Sequence, residues 1–248
     1  MEGSLAILVI SFFLVALIYS SVGFGGGTSY LALLGQSFFF ISQPQIKTTA
    51  LLCNIIVVVG GTYIFYRSGK LDLKKSWPFL VASVPFAFLG GFWKLNDATF
   101  FVILGLSLVV ASFLLWFKPG DQRPSLKNST PLNFGIGGGI GFLSGLVGIG
   151  GGIFLSPILH FIRWDEAKKI SALASVFILV NSISGLAGQL SQKPEIDWYF
   201  VLPLLAAVLV GGQIGSRLGA TKFNSTHIKR VTAVLILVAG INILRDHL

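Results

Sequence analysis

The chain is expected to be an all-α polytopic membrane protein built from two inverted repeats. Each repeat is expected to hold about four transmembrane helices and one glycine-broken hairpin or discontinuous helix. Three observations predict this. Long uncharged runs fill the sequence: 54% of its 248 residues are hydrophobic and only 11% are charged, where a soluble domain carries roughly a quarter. A triple-glycine motif, Ser20-Ser21-Val22-Gly23-Phe24-Gly25-Gly26-Gly27, returns as Ser144-Gly145-Leu146-Val147-Gly148-Ile149-Gly150-Gly151-Gly152. The basic residues, finally, sort onto the two sides of a membrane only if the halves are inverted.

Taken in order, the run Leu5–Val22 leads into the first glycines, and Thr28–Phe40 follows as a short apolar segment. Ser42-Gln43-Pro44 is a turn signal. The next helix is Lys47–Tyr66, ended by Arg67-Ser68-Gly69-Lys70; Trp77–Trp93 and Ala98–Phe117 complete residues 1–117, the first repeat. Residues 118–130 are the one polar linker of any length and divide the halves. In residues 131–248 the second glycine motif leads to Ile153–Ile162, then Ile170–Leu190, Trp198–Ser216 and Val231–Leu244. Several of these runs approach the roughly 20 apolar residues that cross a bilayer as a helix. Asn54 and Asn181 stand as matching single amides in apolar helices, Pro78 parallels Pro203, and Asn96 and Asn224 read as N-caps of the last helix in each half. A duplication of this period is a usual build of secondary transporters. The runs Phe38-Phe39-Phe40 and Trp198-Tyr199 read as interfacial aromatic belts. Glu2 in place of a basic n-region argues against a cleaved signal peptide.

Charge sets the orientation. If each glycine unit crosses the membrane once, nine Lys/Arg fall on each side. If each unit goes in and comes back out, fourteen gather on one face: Arg67, Lys70, Lys74, Lys75, Lys118, Arg123, Lys127, Arg163, Lys168, Lys169, Arg217, Lys222, Lys229 and Arg230. Only Lys47, Lys94, Lys193 and Arg245 remain on the other. The positive-inside rule selects the second arrangement, with both termini outside and the linker in the cytoplasm. The net charge of +9 thus reports orientation in a membrane, not nucleic-acid binding. Cys53 is the one cysteine; it permits no disulfide within the chain and reads as a buried thiol.

The glycine units carry the functional reading. Three successive glycines cost too much for a helix interior and expose bare N–H groups in unusual backbone conformations. Inside a membrane such a break survives only where protein buries it or where it lines a wet cavity. Short helices starting at Thr28 and Ile153 would aim free N–H groups, and roughly half a positive charge each, at one cavity. That makes a site for a small anion. The candidate binding residues are Ser21, Gly25, Gly26, Gly27, Thr28 and Asn54 from the first half, with Ser144, Gly150, Gly151, Gly152 and Asn181 from the second. The two asparagines either donate to the anion or brace a glycine loop by bonding its carbonyls, and a purely packing role is the third reading. No Asp, Glu, Lys or Arg lies inside any run, which argues against a cation carrier or a carboxylate proton relay. No metal, cofactor or catalytic residue is expected. The glycines at 23 and 27, and at 148 and 152, also have the GxxxG spacing of close helix packing. A potassium filter, which Val22-Gly23-Phe24-Gly25 superficially suggests, needs four copies.

Gly-Phe-Gly-Gly-Gly at 23–27 and Gly-Leu-Val-Gly-Ile-Gly-Gly-Gly-Ile-Phe-Leu-Ser-Pro-Ile-Leu at 145–159 resemble the sulfite exporter TauE/SafE family. The resemblance spans the whole chain and is sharper in the second motif, since Ala32 stands where that copy has Pro157. It implies a permease of the cell (inner) membrane for sulfur-containing oxyanions such as sulfite, sulfonates or sulfoacetate. Alternating access in a secondary transporter is the resulting expectation; a non-transporting scaffold with packing glycines and an anion channel are the alternatives. The expected partners are a small anionic substrate and the lipid bilayer, with the chain alone or as a homodimer.

Overall fold

A computed structural model describes residues 2–21, 24–36, 41–116, 129–219 and 225–247. Val22, Gly23, the Phe38–Phe40 belt, linker residues 118–128, Lys222 and the Asn224 cap lie outside the described residues. Those residues form ten helices: α1 (Glu2–Ser21), α2 (Gly27–Leu34), α3 (Gln43–Arg67), α4 (Leu73–Phe92), α5 (Asp97–Trp116), α6 (Thr130–Val147), α7 (Gly152–Phe161), α8 (Ala167–Leu190), α9 (Trp198–Gly219) and α10 (Ser225–His247). Four stretches, Gln43–Arg67, Asp97–Trp116, Ala167–Leu190 and Trp198–Arg217, are long and apolar enough to cross a membrane, and Leu5–Ser21 is a shorter apolar one. The protein is a multi-pass membrane protein.

Local chemistry fixes the helix starts. Pro44 and Pro131 occupy first-turn positions of α3 and α6, where a missing N–H costs nothing. Asp72 accepts from Lys75 N–H at α4, Asn96 from Thr99 N–H at 2.7 Å before α5, and Asp197 from Tyr199 and Phe200 N–H before α9. The two glycine units replace these side-chain caps with backbone. Gly26 (φ +82°) and Gly151 (φ +83°) are the N-caps of α2 and α7, and Gly148 (φ +90°) closes α6. All three sit in the left-handed region that favours glycine.

After the first break α2 folds back along α1. Phe12, more than two turns before the end of α1, stacks on Tyr30 with ring centroids 4.6 Å apart. Tyr19 Oη and Ser29 Oγ share a hydrogen bond of 2.8 Å. After the second break a Cβ on Gly151 would meet Ile140 Cγ2 at 3.0 Å and Ser144 Cβ at 3.3 Å, so this turn also returns against its own preceding helix.

Glycine contacts give the directions of the long helices. In α6, Gly137, Gly141 and Gly145 press on the backbone at Phe79, Ser83 and Ala87 of α4, so α4 and α6 run parallel. Ser184 Oγ donates to Val84 O at 2.6 Å and Gly188 meets Phe88, so α8 runs parallel to α4 as well. Gly211 and Gly215 of α9 meet Phe13 and Leu17, making α1 and α9 parallel. By contrast Gly61 faces Ser175 while Gly185 faces Leu51, so α3 and α8 run antiparallel. So do α5 and α10: Ser112 Oγ donates to Ala233 O at 2.8 Å while Gly105 lies against Gly240 and Leu244. Gly137, Gly141 and Gly145 form a close-packing seam at four-residue spacing.

The connections cluster by face. Asp165, between α7 and α8, takes Lys75 Nζ at 2.9 Å and Lys169 Nζ at 3.4 Å, which puts two basic stretches side by side. Burial alone would raise the Asp165 carboxyl. The Lys75 hydrogen bond, the Glu166 N–H and the charges of Lys75 and Lys169 overcome it and hold the group below the usual carboxylate range. On the opposite face Gln43 Nε2 donates to Leu95 O at 3.5 Å and Gln192 Nε2 to Phe92 O, tying the connections around 93–96 and 191–197 to the start of α3. Cys53 is free and buried.

Candidate functional site

The two glycine breaks meet. Gly25, Gly26, Gly27 and Thr28 from the first unit and Ile149, Gly152 and Ile153 from the second line one small cavity between α3 and α8. Neither Gly27 and Thr28 nor Gly152 and Ile153 has a carbonyl one turn back for its N–H, as first-turn positions never do. The next amides are already used: Ser29 and Tyr30 N–H bond Gly26 O, and Phe154 and Leu155 N–H bond Gly151 O. Two helix N-termini from different halves of the chain therefore face the same enclosed space. Thr28 is buried beside them.

Asn54 sits between the two units. Its Nδ2 donates to Ile149 O at 3.1 Å, a bond from the first half of the chain to the glycine loop of the second. A Cβ on Gly25 would stand 2.5 Å from Asn54 Oδ1, and one on Gly150 would stand 2.8 Å from Nδ2. These glycines are glycines because the amide occupies the space a side chain would need. Asn54 thus braces a loop, one of the two active roles its position suggested. Its Oδ1 is fully buried without a partner.

Asn181 is not its counterpart, and the matching of the two amides is corrected here. In α3 the residue against Gly25 and Gly27 is Asn54, and in α8 the residue against both Gly150 and Gly152 is Ile178. The alignment of Asn54 with Asn181 rested on the glycines after each amide, but the register is set by the breaks, one helical turn earlier in α8. Asn181 Nδ2 donates at 2.7 Å to Phe177 O of its own helix, and the residue does not line the cavity.

The other expected residues divide. Gly150 (φ +83°) and Gly151 shape the second loop from behind the cavity wall. Ser144 is buried at the end of α6 with an unpartnered Oγ, away from the lining. Ser21 Oγ donates to Ile18 O at 2.6 Å within α1. Tyr19, Phe24 and Ile178 complete the wall; none is a candidate by residue type, although Phe24 stands inside the first motif.

Lys47 also departs from expectation. Grouped by sequence with the surface charges, it lies inside α3 and is only 2% exposed. The second glycine loop covers it: a Cβ on Gly148 would meet Lys47 Cα at 3.3 Å. That loop comes from the other half of the chain, so nothing near Lys47 in sequence announces its burial.

The cavity is tight, about 10 Å³, room for one water-sized group. A group of four heavy atoms does not fit it at this volume.

The family description Sulfite exporter TauE/SafE matches residues 8–243. The probable membrane transporter protein y4hK of Sinorhizobium fredii is 33% identical over 96% of this chain and 97% of its own length. The probable membrane transporter protein YunE of Bacillus subtilis is 24% identical over 95% of this chain and 96% of its own. The probable membrane transporter protein MJ0441 of Methanocaldococcus jannaschii is 26% identical over 96% and 94%. No solved structure matches the chain.

Proposed function

The chain belongs to the sulfite exporter TauE/SafE family of membrane transporters, and from that premise we propose that it carries a small sulfur-containing oxyanion, sulfite or an organosulfonate, by alternating access. The observation that carries this reading is the meeting of two broken-helix N-termini, at Gly27 and Gly152, on one buried cavity. Their free N–H groups and dipole ends attract negative charge without a fixed cation in the cavity wall. The unpartnered Asn54 Oδ1 is an acceptor that a singly protonated oxyanion satisfies. Because Asn54 bonds the opposite half at Ile149, opening the cavity breaks that bond and couples substrate access to relative movement of the halves. In the purified protein reconstituted into liposomes, labelled sulfite should show counterflow exchange. A scaffold gives no flux, and a channel gives flux without trans-acceleration; either result sinks the carrier reading.

An inverted-repeat build fits the same mechanism. The antiparallel runs of α3 against α8 and α5 against α10, with α1 parallel to α9 and α4 parallel to α6, are the pattern in which each helix opposes its equivalent in the other half. In this reading the Lys75–Asp165–Lys169 cluster faces the cytoplasm, with both termini outside. The expected labelling follows. In a Cys53→Ser background, cysteines at Lys70 and Lys168 should be protected from an impermeant thiol reagent in intact cells, and cysteines at Lys94 and Lys193 should react. Reaction at Lys70 with protection at Lys193 reverses the orientation; reaction or protection of all four breaks the two-faced arrangement.

A further inference from the structure

Among the described residues Lys47 is the buried cation, and it lies in α3 two helical turns before Asn54, outside the cavity wall. Lys47 is only 2% exposed, and no carboxylate pairs with it among the described residues. A buried ammonium without a counter-charge is strongly disfavoured. An anion close to it supplies the missing counter-charge and offsets that cost.

The position suits that task. Lys47 precedes Asn54 by seven residues, two helical turns, so both side chains share one stripe of α3 about 10 Å apart. The second glycine loop lies along that stripe, with Gly148 over Lys47 and Ile149 bonded to Asn54. Two unpartnered hydroxyls belong to residues near this contact: Thr48, next in the chain, and Ser144, whose carbonyl holds Gly148 N–H at 2.8 Å. Helical side chains lean toward the N-terminus, so the lysine reaches from the cavity toward the face where Gln43 meets Leu95.

Resting on the anion-transport reading above, we propose that Lys47 is an anion-capture residue on the approach from that face, holding the oxyanion as its counter-charge before it passes to the glycine loops. The test compares the full-length wild type with Lys47→Met, Lys47→Gln and Lys47→Arg in detergent, reading sulfite affinity by calorimetry and melting temperature in anion-free buffer on the same samples. Removing an uncompensated charge should leave Lys47→Met as stable as wild type or more so, yet at least tenfold weaker for sulfite. Lys47→Arg should keep most of the affinity. Lys47→Gln, which keeps length and polarity, should lose affinity as Met does and gives the answer if the Met variant does not fold. Wild-type affinity in either neutral variant overturns the assignment, as does lowered melting temperature with unchanged affinity of the folded fraction. Failure of wild type to bind sulfite or an organosulfonate overturns the anion reading itself, whereas wild-type binding that ignores Lys47 overturns this assignment alone.

Discussion

Gly145→Leu should prevent the protein from folding into a monodisperse particle. A Cβ at Gly145 would land on Ala87 O of α4 and 2.8 Å from Gly91 N. The obstacles are backbone atoms, so no rotamer change relieves the overlap, and α6 has to move away from α4 along its whole contact. Gly137 and Gly141 make the same main-chain contact at Phe79 and Ser83, so the displacement propagates over three successive turns. Helices in a membrane adhere through close packing more than through a hydrophobic drive, and losing that packing costs about 4 kcal/mol or more, the range of severe core lesions. Gly139→Leu is the internal control. It lies in the same helix with open space at its Cβ position and should melt close to wild type. If Gly145→Leu also purifies and melts like wild type, the seam is not what holds α4 to α6.

Gly26→Ala and Gly151→Ala should each leave a folded protein that binds anions at least tenfold more weakly. Both glycines adopt left-handed backbone, at φ +82° and +83°, which costs an L-residue roughly 1–2 kcal/mol. Space is short as well. The new methyl would meet Val15 Cγ1 at 3.0 Å at Gly26 and Phe177 Cε1 at 2.8 Å at Gly151. Relief comes from rotating the peptide that caps α2 or α7, which swings the first N–H groups away from the cavity. A tenfold loss corresponds to about 1.4 kcal/mol, within reach of that strain. Gly69→Ala separates strain from site. Gly69 has φ +65° with nothing near its Cβ position, so its alanine variant should lose stability but not affinity. Normal binding by both cavity-cap variants removes the backbone cradle.

How far the sequence reaches follows from what each feature depends on. The spans and glycine breaks were legible because apolar length and glycine clustering are local properties, and the Asn96 cap because its partner lies three residues away. The folding back of α2 along α1 was not legible locally, since Phe12 and Tyr30 do not announce that they stack. The amide pairing failed because packing register is set by contacts between halves: one helical turn of slip in α8 puts Ile178 where Asn181 was expected. Lys47 was hidden for the same reason, its burial being the work of a loop a hundred residues away.

The glycine contacts also decide where the molecule can yield. Between α4, α6 and α8 main chain rests on main chain, through Gly137, Gly141, Gly145 and Gly188, with Gly91 against Gly185. Such a slab has no flexible spacers to compress or rotate and behaves as one stiff plate. Where α3 faces α8 the separations are ordinary ones, 3.5 Å from a Cβ on Gly61 to Ser175 Oγ and 3.8 Å from a Cβ on Gly185 to Leu51 Cδ1. Away from the glycine loops, the boundary between α3 and α8 is therefore the looser of the two, and the cavity lies along it. The bond from Asn54 to Ile149 joins the two halves there, so any displacement of α3 against the second glycine loop has to break it first.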